Sequence, residues 1–322
     1  MPSSTSSSEP ALPAASWRRG WIGLLQAFFA LMVMGEILCR ALAPRLIQTE
    51  IRRQRESVEA ELVRPGTNGR LTVLMLGNSL LAEGVDLGEL RRRVEPDIAV
   101  TRFQVESTVY FDWYFGIRRL LKSGAKPDVV ALVLSPDQLA SMGHRGDYSA
   151  YLLMTTRDAW TAGWKMGLSN TQSADLVVSR LSALFGMRTN IRKRTVLALV
   201  PGLGRVMPIL TERMEPRLRA DAVEVLSRER LEALQAFVES HGSRFVLIVP
   251  PTNDDNTKEL TEAVVRGGRA AGVQVMLPIA PGTLRDDSFR EDGFHLSRIG
   301  ARHFTDRLAA LLKQLHGSIT NG

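Results

Sequence analysis

Two short segments of the sequence carry residue types that together could perform nucleophilic catalysis. The first, Gly77-Asn78-Ser79, directly follows an apolar run at residues 71–76, and the second is Asp292-Gly293-Phe294-His295. A serine hydroxyl is a weak nucleophile until a base accepts its proton. A histidine is such a base when a carboxylate holds its other ring nitrogen, and an aspartate three residues earlier on a loop can make that contact.

Each segment taken alone also has an ordinary structural interpretation. Asn78 and Ser79 are common turn and helix N-cap residues. Asp292 and His295 fit a surface turn before a helix, which Ser297 could cap. Gly77 permits a tight turn where a Cβ would clash, and the backbone N–H of Ser79 would face an anion near a helix N-terminus. Singly, neither segment decides between catalysis and turn formation.

The surrounding sequence predicts an α/β sheet that would position both segments. Short apolar runs, typical of strands buried on both faces, lie at residues 71–76, 98–105, 129–134, 245–249 and 273–277. Helical patterns lie at residues 87–94, 113–122, 226–240, 258–271 and 297–315. Strands alternating with helices predict βαβ units and a parallel sheet. Ligand sites form at the carboxyl ends of such strands, where Ser79 would lie.

One long stretch, residues 138–221, does not follow this alternation. It contains Trp160, Trp164 and, near its end, the breaker sequence Pro201-Gly202-Leu203-Gly204. We interpret it as a helical insertion that lies over or beside the carboxyl edge of the sheet.

The N-terminal part of the chain predicts a membrane anchor. Residues 1–16 form a Ser/Pro/Ala-rich tail, and residues 17–43 contain an apolar run preceded by Arg18 and Arg19. About 20 apolar residues span a bilayer, and the preceding arginines favour a cytoplasmic N-terminus. A cleavable signal peptide is the alternative, although Pro44 is unfavourable after a cut. Residues 44–69 then form a juxtamembrane helix or stalk, and residues 70–322 the globular domain. Either interpretation exports that domain.

Composition narrows the function classes. The 322 residues are 44% hydrophobic and 23% charged, which is typical of a globular protein. The net charge of +7 suits anionic lipids, an acidic polysaccharide or simply a solvated Arg-rich surface, and no basic tract interleaved with aromatics supports nucleic-acid binding. The single cysteine, Cys39, permits neither an intramolecular disulfide nor a CxxC-type zinc site. We predict no metal or organic cofactor.

In combination, the two segments and the strand order resemble the SGNH (GDSL-like) hydrolase and acyltransferase superfamily, over about residues 71–315 with the insertion outside. The resemblance implies a flavodoxin-like fold, a five-stranded parallel sheet with helices on both faces. It also implies that Ser79 is the nucleophile, with Asp292 and His295 completing a catalytic triad. Asn78 departs from the commoner Gly-Asp-Ser-Leu pattern.

Two further departures concern the oxyanion hole that this family builds. Its second block supplies a glycine N–H, but residues 106–110 here contain no glycine, and its third block supplies an asparagine, which residues 134–138 lack. Losing one oxyanion donor costs about 100- to 1,000-fold in rate. Five residues are candidate donors, with Asn253 as a weaker one: Ser79, Ser107, Thr108, Ser135 and Gln138.

The variant blocks, the insertion and the anchor resemble, more weakly, SGNH-like proteins of envelope-polysaccharide O-acetylation. This resemblance implies a membrane-anchored esterase or O-acyltransferase acting on an acylated glycan or another small ester. Membrane lipid around the N-terminal helix and a membrane-embedded acyl donor protein are the implied partners. Two alternatives stay open: a catalytically inactive SGNH-fold protein that binds glycans or assists assembly, and a lipid-directed esterase.

Overall fold

Five parallel strands form the central sheet in the order β2-β1-β3-β4-β5. This is the flavodoxin-like order, and it confirms the predicted α/β fold. The computed structural model describes residues 14–46, 48–199, 218–253 and 256–320, so most of the predicted tail and Pro201-Gly202-Leu203-Gly204 lie outside the described residues. The strands are β1 (Leu71–Gly77), β2 (Ile98–Gln104), β3 (Val129–Val133), β4 (Arg244–Ile248) and β5 (Gln274–Met276).

Helices cover both faces of the sheet because both faces are apolar. In β3, Val130 and Leu132 join the hydrophobic core on one face, whereas Val129, Ala131 and Val133 join the core on the other. The first face is covered by α5 (Tyr110–Lys122), α11 (Ala220–Glu239) and α12 (Thr257–Ala270). The second is covered by α3 (Ser79–Gly84), α4 (Leu87–Val94) and α13 (Arg298–Thr320).

The described part of the predicted insertion is helical. Residues of its helices, among them Tyr148, Leu153 and Ala159, are buried in the same hydrophobic core as α5, so the insertion extends the core on that face. Its helices are α6 (Pro136–Ala140), α7 (Asp147–Leu153), α8 (Thr156–Met166), α9 (Asn170–Leu181) and α10 (Ala183–Leu199).

The N-terminal helix, α1 (Ala14–Leu46), contains an apolar stretch of 22 residues, Gly20–Ala41, that is long enough to cross a bilayer. Only 6% of that stretch is buried within the protein. Its far end is attached to the insertion, because Glu36 accepts hydrogen bonds from Ser182 Oγ at 2.6 Å and from the N–H of Ala183 at 2.9 Å. These contacts place the start of α10 at the end of the apolar stretch.

A second N-terminal helix, α2 (Gln48–Glu61), packs against the edge strand β2. The Glu56 carboxylate accepts the N–H of Gln104 at 3.1 Å, and Ala60 is fully buried. Arg119 of α5 donates to Ser57 Oγ at 2.9 Å. Since an uncovered edge strand exposes unpaired backbone groups, α2 closes one side of the sheet.

Candidate active site

Ser79 is placed by a sharp turn between β1 and α3. Strand β1 ends at Gly77, Asn78 is the N-cap of α3, and Ser79 is the first residue of that helix. A Cβ at residue 77 would lie 2.8 Å from the carbonyl oxygen of Val133 and 3.1 Å from Cβ of Leu81. The close approach of β3 and α3 therefore requires glycine at this position. The result is a serine at the carboxyl edge of the sheet, where the sequence predicts it.

Asn78 is fully buried and connects this turn to the β2–α5 loop (residues 105–109). Its Oδ1 accepts the N–H of Leu80 at 3.0 Å, which caps α3. Its Nδ2 donates to the carbonyl oxygen of Thr108 at 2.8 Å. An ionised aspartate accepts hydrogen bonds only, so the departure from Gly-Asp-Ser-Leu supplies a donor that this loop uses.

The structure brings Ser79, His295 and Asp292 into one chain of hydrogen bonds. His295 Nε2 lies 2.9 Å from Ser79 Oγ, and His295 Nδ1 lies 2.7 Å from Asp292 Oδ2. With Nδ1–H donated to the carboxylate, neutral His295 presents Nε2 as an acceptor for the serine proton. The histidine side chain is 21% exposed, so the ring is held within the protein while one edge stays accessible.

Asp292 is kept ionised by the loop that carries it. Its Oδ1 accepts the N–H groups of Phe294 at 3.0 Å and His295 at 2.9 Å. Partial burial raises the pKa of Asp292, but the hydrogen bonds from His295 and Phe294 outweigh it, so this pKa lies below its ordinary value. Gly293, at φ +63°, supplies the left-handed turn that folds the carboxylate back onto these groups.

The loop bearing Asp292 and His295 is fixed on both sides. The N–H of Asn253 donates to the Gly293 carbonyl at 2.8 Å, and the N–H of Arg290 donates to the His295 carbonyl at 2.8 Å. Arg290 also forms an ion pair with Glu83 of α3 at 2.7 Å. Asn253, a weaker oxyanion candidate, thus supports this loop, and its side chain donates to Asp286. The base is therefore tied to the helix that begins at the nucleophile.

The candidate donors after β1 and after β2 differ in which of their groups can still donate a hydrogen bond. As the first residue of α3, Ser79 has an N–H without an intrahelical partner. The hydroxyl of Thr108 donates to the Val105 carbonyl at 2.6 Å and accepts from Trp113 Nε1 at 2.9 Å, which leaves its backbone N–H as the candidate. Ser107 is exposed and adopts φ +59°, the left-handed conformation that favours glycine. Here a serine occupies backbone geometry suited to the missing glycine.

Ser135 and Gln138 lie at the carboxyl end of β3. Ser135 is the N-cap of α6, and its N–H donates to Gln138 Oε1 at 3.2 Å. Its hydroxyl is buried and has no hydrogen-bond partner among the described residues. Within the same residues, neither side chain forms a hydrogen bond with Ser79 or His295. Hydrogen bonds therefore join the triad, whereas Ser135 and Gln138 stay candidate donors at the end of β3, the strand that pairs with β1.

Sequence reasoning missed a charged cluster beside the β2–α5 loop. The charges come from α2, from the loop itself, from α5 and from the insertion, segments far apart in sequence whose spacing gives no signal. Its members are Arg53, Glu106, Asp112, Arg145 and Tyr148.

No protein-family profile and no curated protein sequence matches this chain. Among solved structures, it is similar to the psychrotrophic esterase EstA from Pseudoalteromonas sp., inhibited by monoethylphosphonate, with 12% identity and a TM-score of 0.38 over 76% of this chain and 97% of that one. It is also similar to the lipase Lip_vut3 from a goat rumen metagenome, with 9% identity and a TM-score of 0.35 over 74% and 96% of the two chains. Both likenesses are distant, so the chemistry of this chain rests on the geometry of its own site.

Proposed function

We propose that this protein is a serine esterase or O-acyltransferase that works through an acyl-enzyme on Ser79. The observation that carries the proposal is the unbroken chain of hydrogen bonds from Ser79 Oγ through His295 to Asp292. A turn residue or helix cap has no need of a histidine at 2.9 Å or of a carboxylate behind that histidine. If each segment were only a turn or a helix cap, nothing would explain why Ser79 and His295, 216 positions apart, form a hydrogen bond.

The reaction divides into two halves with the same groups. Ser79 Oγ attacks the ester carbonyl carbon while His295 Nε2 takes the serine proton, and Asp292 stabilises the imidazolium that forms. The tetrahedral intermediate collapses, the alcohol leaves with the proton from His295, and the acyl group stays on Ser79. A second hydroxyl, from a sugar or from water, then gives its proton to His295 and attacks the acyl carbon. The bond between the acyl carbon and Ser79 Oγ then breaks, and His295 returns the proton to Ser79.

The negative charge of the intermediate needs donors beside Ser79 Oγ. The N–H of Ser79 and the N–H groups of the β2–α5 loop are the donors we assign, since the turn and the loop are joined through Asn78. Loss of one such donor in a serine enzyme costs about 2.7–4 kcal/mol in the barrier. Two backbone donors are sufficient for an oxyanion hole without an asparagine from the third block.

We place the enzyme in a membrane with its domain outside the cytoplasm, acting on an acylated glycan or another envelope ester. The apolar length of Gly20–Ala41 supports the anchor, and Arg18 and Arg19 before it support this orientation. Trp160 and Trp164 on α8 are 72% and 96% exposed, and tryptophan favours the bilayer interface. A membrane-embedded acyl donor protein is the partner that an O-acyltransferase of this architecture would use.

The first test is covalent labelling of the detergent-solubilised full chain with a fluorophosphonate probe, alongside turnover of p-nitrophenyl acetate. We expect labelling and turnover in the wild type and loss of both in Ser79→Ala and His295→Ala. Ser240→Ala and His241→Ala are matched controls, because this adjacent pair is exposed at the end of α11. Turnover that survives in Ser79→Ala would rule out the acyl-enzyme.

A glycan-binding protein without catalysis is the second candidate, and the missing block residues favour it. It predicts a folded wild type that neither reacts with the probe nor hydrolyses the ester. The lipid-directed esterase predicts a preference for long acyl chains presented in vesicles over p-nitrophenyl acetate. Transfer is separated from hydrolysis by adding a glycan acceptor, since a transferase then moves the acyl group to sugar rather than to water.

A further inference from the structure

The peptide bond between Glu106 and Ser107 is held by an arginine from the insertion. The Arg145 guanidinium donates from Nη1 to the carbonyl oxygen of Glu106. In a planar trans peptide, the carbonyl of one residue and the N–H of the next point in opposite directions. By fixing the Glu106 carbonyl, Arg145 therefore also fixes the direction of the Ser107 N–H.

This peptide lies directly beside the nucleophile turn. On one side of it, the N–H of Val105 donates to the Gly77 carbonyl at 3.0 Å. On the other side, Asn78 Nδ2 donates to the Thr108 carbonyl at 2.8 Å. The two residues between these bonds, Glu106 and Ser107, are thus confined next to the residues that precede Ser79.

Arg145 is itself held in place and carries a fixed charge. Its backbone N–H donates to the Asp112 carboxylate at 3.0 and 3.1 Å, and Nη2 donates to Asn190 Oδ1 at 3.3 Å. The guanidinium also lies 4.7 Å from the centre of the Tyr148 ring. Its contacts come from α5, α7 and α10, so the insertion and the sheet domain jointly set its position.

The other end of Glu106 is held by the membrane-proximal helix. Its carboxylate pairs with Arg53 Nη2 at 3.0 Å and with Arg52 at 3.7 Å, both from α2. Arg53 is 5% exposed and also pairs with Glu50 at 3.7 Å. Helix α2 therefore holds the Glu106 side chain by ion pairs, and the insertion holds its carbonyl by a hydrogen bond.

We propose that Arg145 is a positioning residue that makes the Ser107 N–H an oxyanion donor, in place of the glycine that this loop lacks. The inference rests on the proposed acyl transfer at Ser79. A cation on the carbonyl polarises the peptide and strengthens its N–H as a donor. It also holds the left-handed conformation at Ser107, which a serine adopts less readily than a glycine. Arg145 acts through this peptide rather than by touching the substrate.

The test uses the full chain with Arg145→Met and Arg145→Lys. Methionine retains packing over Tyr148 without a charge, and lysine restores a cationic donor. Arg180→Met is the matched control, because Arg180 lies in the insertion, is desolvated, and donates to another backbone carbonyl, that of Tyr151, at 3.2 Å. The measurements are kcat and KM for p-nitrophenyl acetate, the Ki of an aryl trifluoromethyl ketone that forms a tetrahedral adduct, and the unfolding temperature.

We expect Arg145→Met to lower kcat by about 10- to 1,000-fold with KM unchanged, which is the signature of a lost oxyanion donor. The Ki of the ketone should rise in proportion to the fall in kcat/KM, since both report the tetrahedral state. Arg145→Lys should recover part of both losses, and Arg180→Met should leave both at the wild-type level.

Three results overturn the inference. The first is an unchanged kcat in Arg145→Met while Ser79→Ala abolishes the activity. The proposed function then stands without a positioning role for Arg145. The second is an equal loss in Arg180→Met, or a fall in kcat without any rise in the Ki of the ketone, which indicates general loosening of the insertion. The third is a wild type without turnover or labelling, which overturns the proposed function and this inference together.

Discussion

At the scale of single residues, Asp292 decides whether His295 presents the right nitrogen to Ser79. An asparagine at this position can turn its amide N–H₂ toward Nδ1, which then accepts and leaves the proton on Nε2. That tautomer cannot take the serine proton. We therefore expect Asp292→Asn to lower kcat by about 100- to 10,000-fold with little change in KM. Steady-state kinetics on p-nitrophenyl acetate measures this, with Asp287→Asn, a nearby exposed aspartate, as control.

The same variant has a pH signature. Because the pKa of Asp292 is lowered in the folded protein, its ionised form stabilises the fold above the unfolded pKa of about 3.9, and this contribution is lost as the pH falls through the lowered pKa. The stability difference between wild type and Asp292→Asn should therefore be present at neutral pH and vanish in acid. A difference that grows as the pH falls would contradict the ionised carboxylate.

At the scale of elements, Asn78 couples the β1–α3 turn to the β2–α5 loop. Restoring the commoner aspartate, Asn78→Asp, should destabilise this protein by about 1–3 kcal/mol at neutral pH, since the Thr108 carbonyl loses its donor and faces a buried carboxylate. Turnover should fall with it, because the loop carries the assigned donors. Thermal unfolding and kcat measure the two effects.

The pH dependence separates this explanation from simple loss of a cap. A protonated carboxyl group can donate to the Thr108 carbonyl, whereas an ionised one cannot. This hydrogen bond and burial both raise the pKa of the introduced acid. Its stabilising form is then present at low pH and is lost as the pH rises through that raised pKa. Asn78→Asp should regain stability on acidification relative to Asn78→Ala, which loses both hydrogen bonds at every pH. Equal pH profiles of the two variants would refute the donor role of Asn78.

The elements of the sheet could be predicted because their signals are local. Apolar runs bounded by turn residues predicted each of the five strands to within about two residues, and the position of Ser79 followed from the carboxyl-edge rule. The sequence predicted that a Cβ at residue 77 would clash, but not with which atoms, since the clash comes from Val133, a residue 56 positions away. Contact between Ser79 and His295 depends on the fold, which the sequence indicates only through resemblance to a known family.

The β2–α5 loop could not be predicted in the same way. Its sequence offers no glycine, yet Ser107 adopts the left-handed conformation, held by arginines from two distant segments. No local pattern marks Arg53 or Arg145 as partners of Glu106, because ion pairs across a fold have no fixed spacing. Side chains of this kind become visible only when tertiary contacts are known.

At the scale of the whole molecule, the parts outside the sheet converge on the β2–α5 loop beside Ser79. Helix α1 attaches to the insertion through Glu36, the insertion holds the Glu106 carbonyl through Arg145, and α2 holds the Glu106 side chain. Helix α1 and the β2–α5 loop are therefore joined through hydrogen-bonded contacts of the insertion. A membrane-anchored enzyme of this build would present its site in one orientation to the bilayer.

Two truncations test how far the active unit extends toward the membrane. A chain starting at Gln48 lacks α1 but keeps α2, whereas a chain starting at Arg70 lacks both helices. We expect the longer chain to lose membrane association and keep wild-type kcat. The shorter chain should lose stability and kcat, because the buried Gln104 N–H loses its partner on α2, which costs about 1–3 kcal/mol, and the partly exposed Glu106 carboxylate loses its ion pairs.

A point variant distinguishes the contact from the loss of a helix. Arg53→Met in the chain starting at Gln48 removes the pair with Glu50 and the pair with Glu106, while the apolar packing of α2, around Ala60, stays in place. If α2 acts through this ion pair, kcat should fall in Arg53→Met with a smaller change in unfolding temperature than in the chain starting at Arg70. Equal kcat in all three chains would show that the sheet domain holds the β2–α5 loop in its active conformation without help from α2.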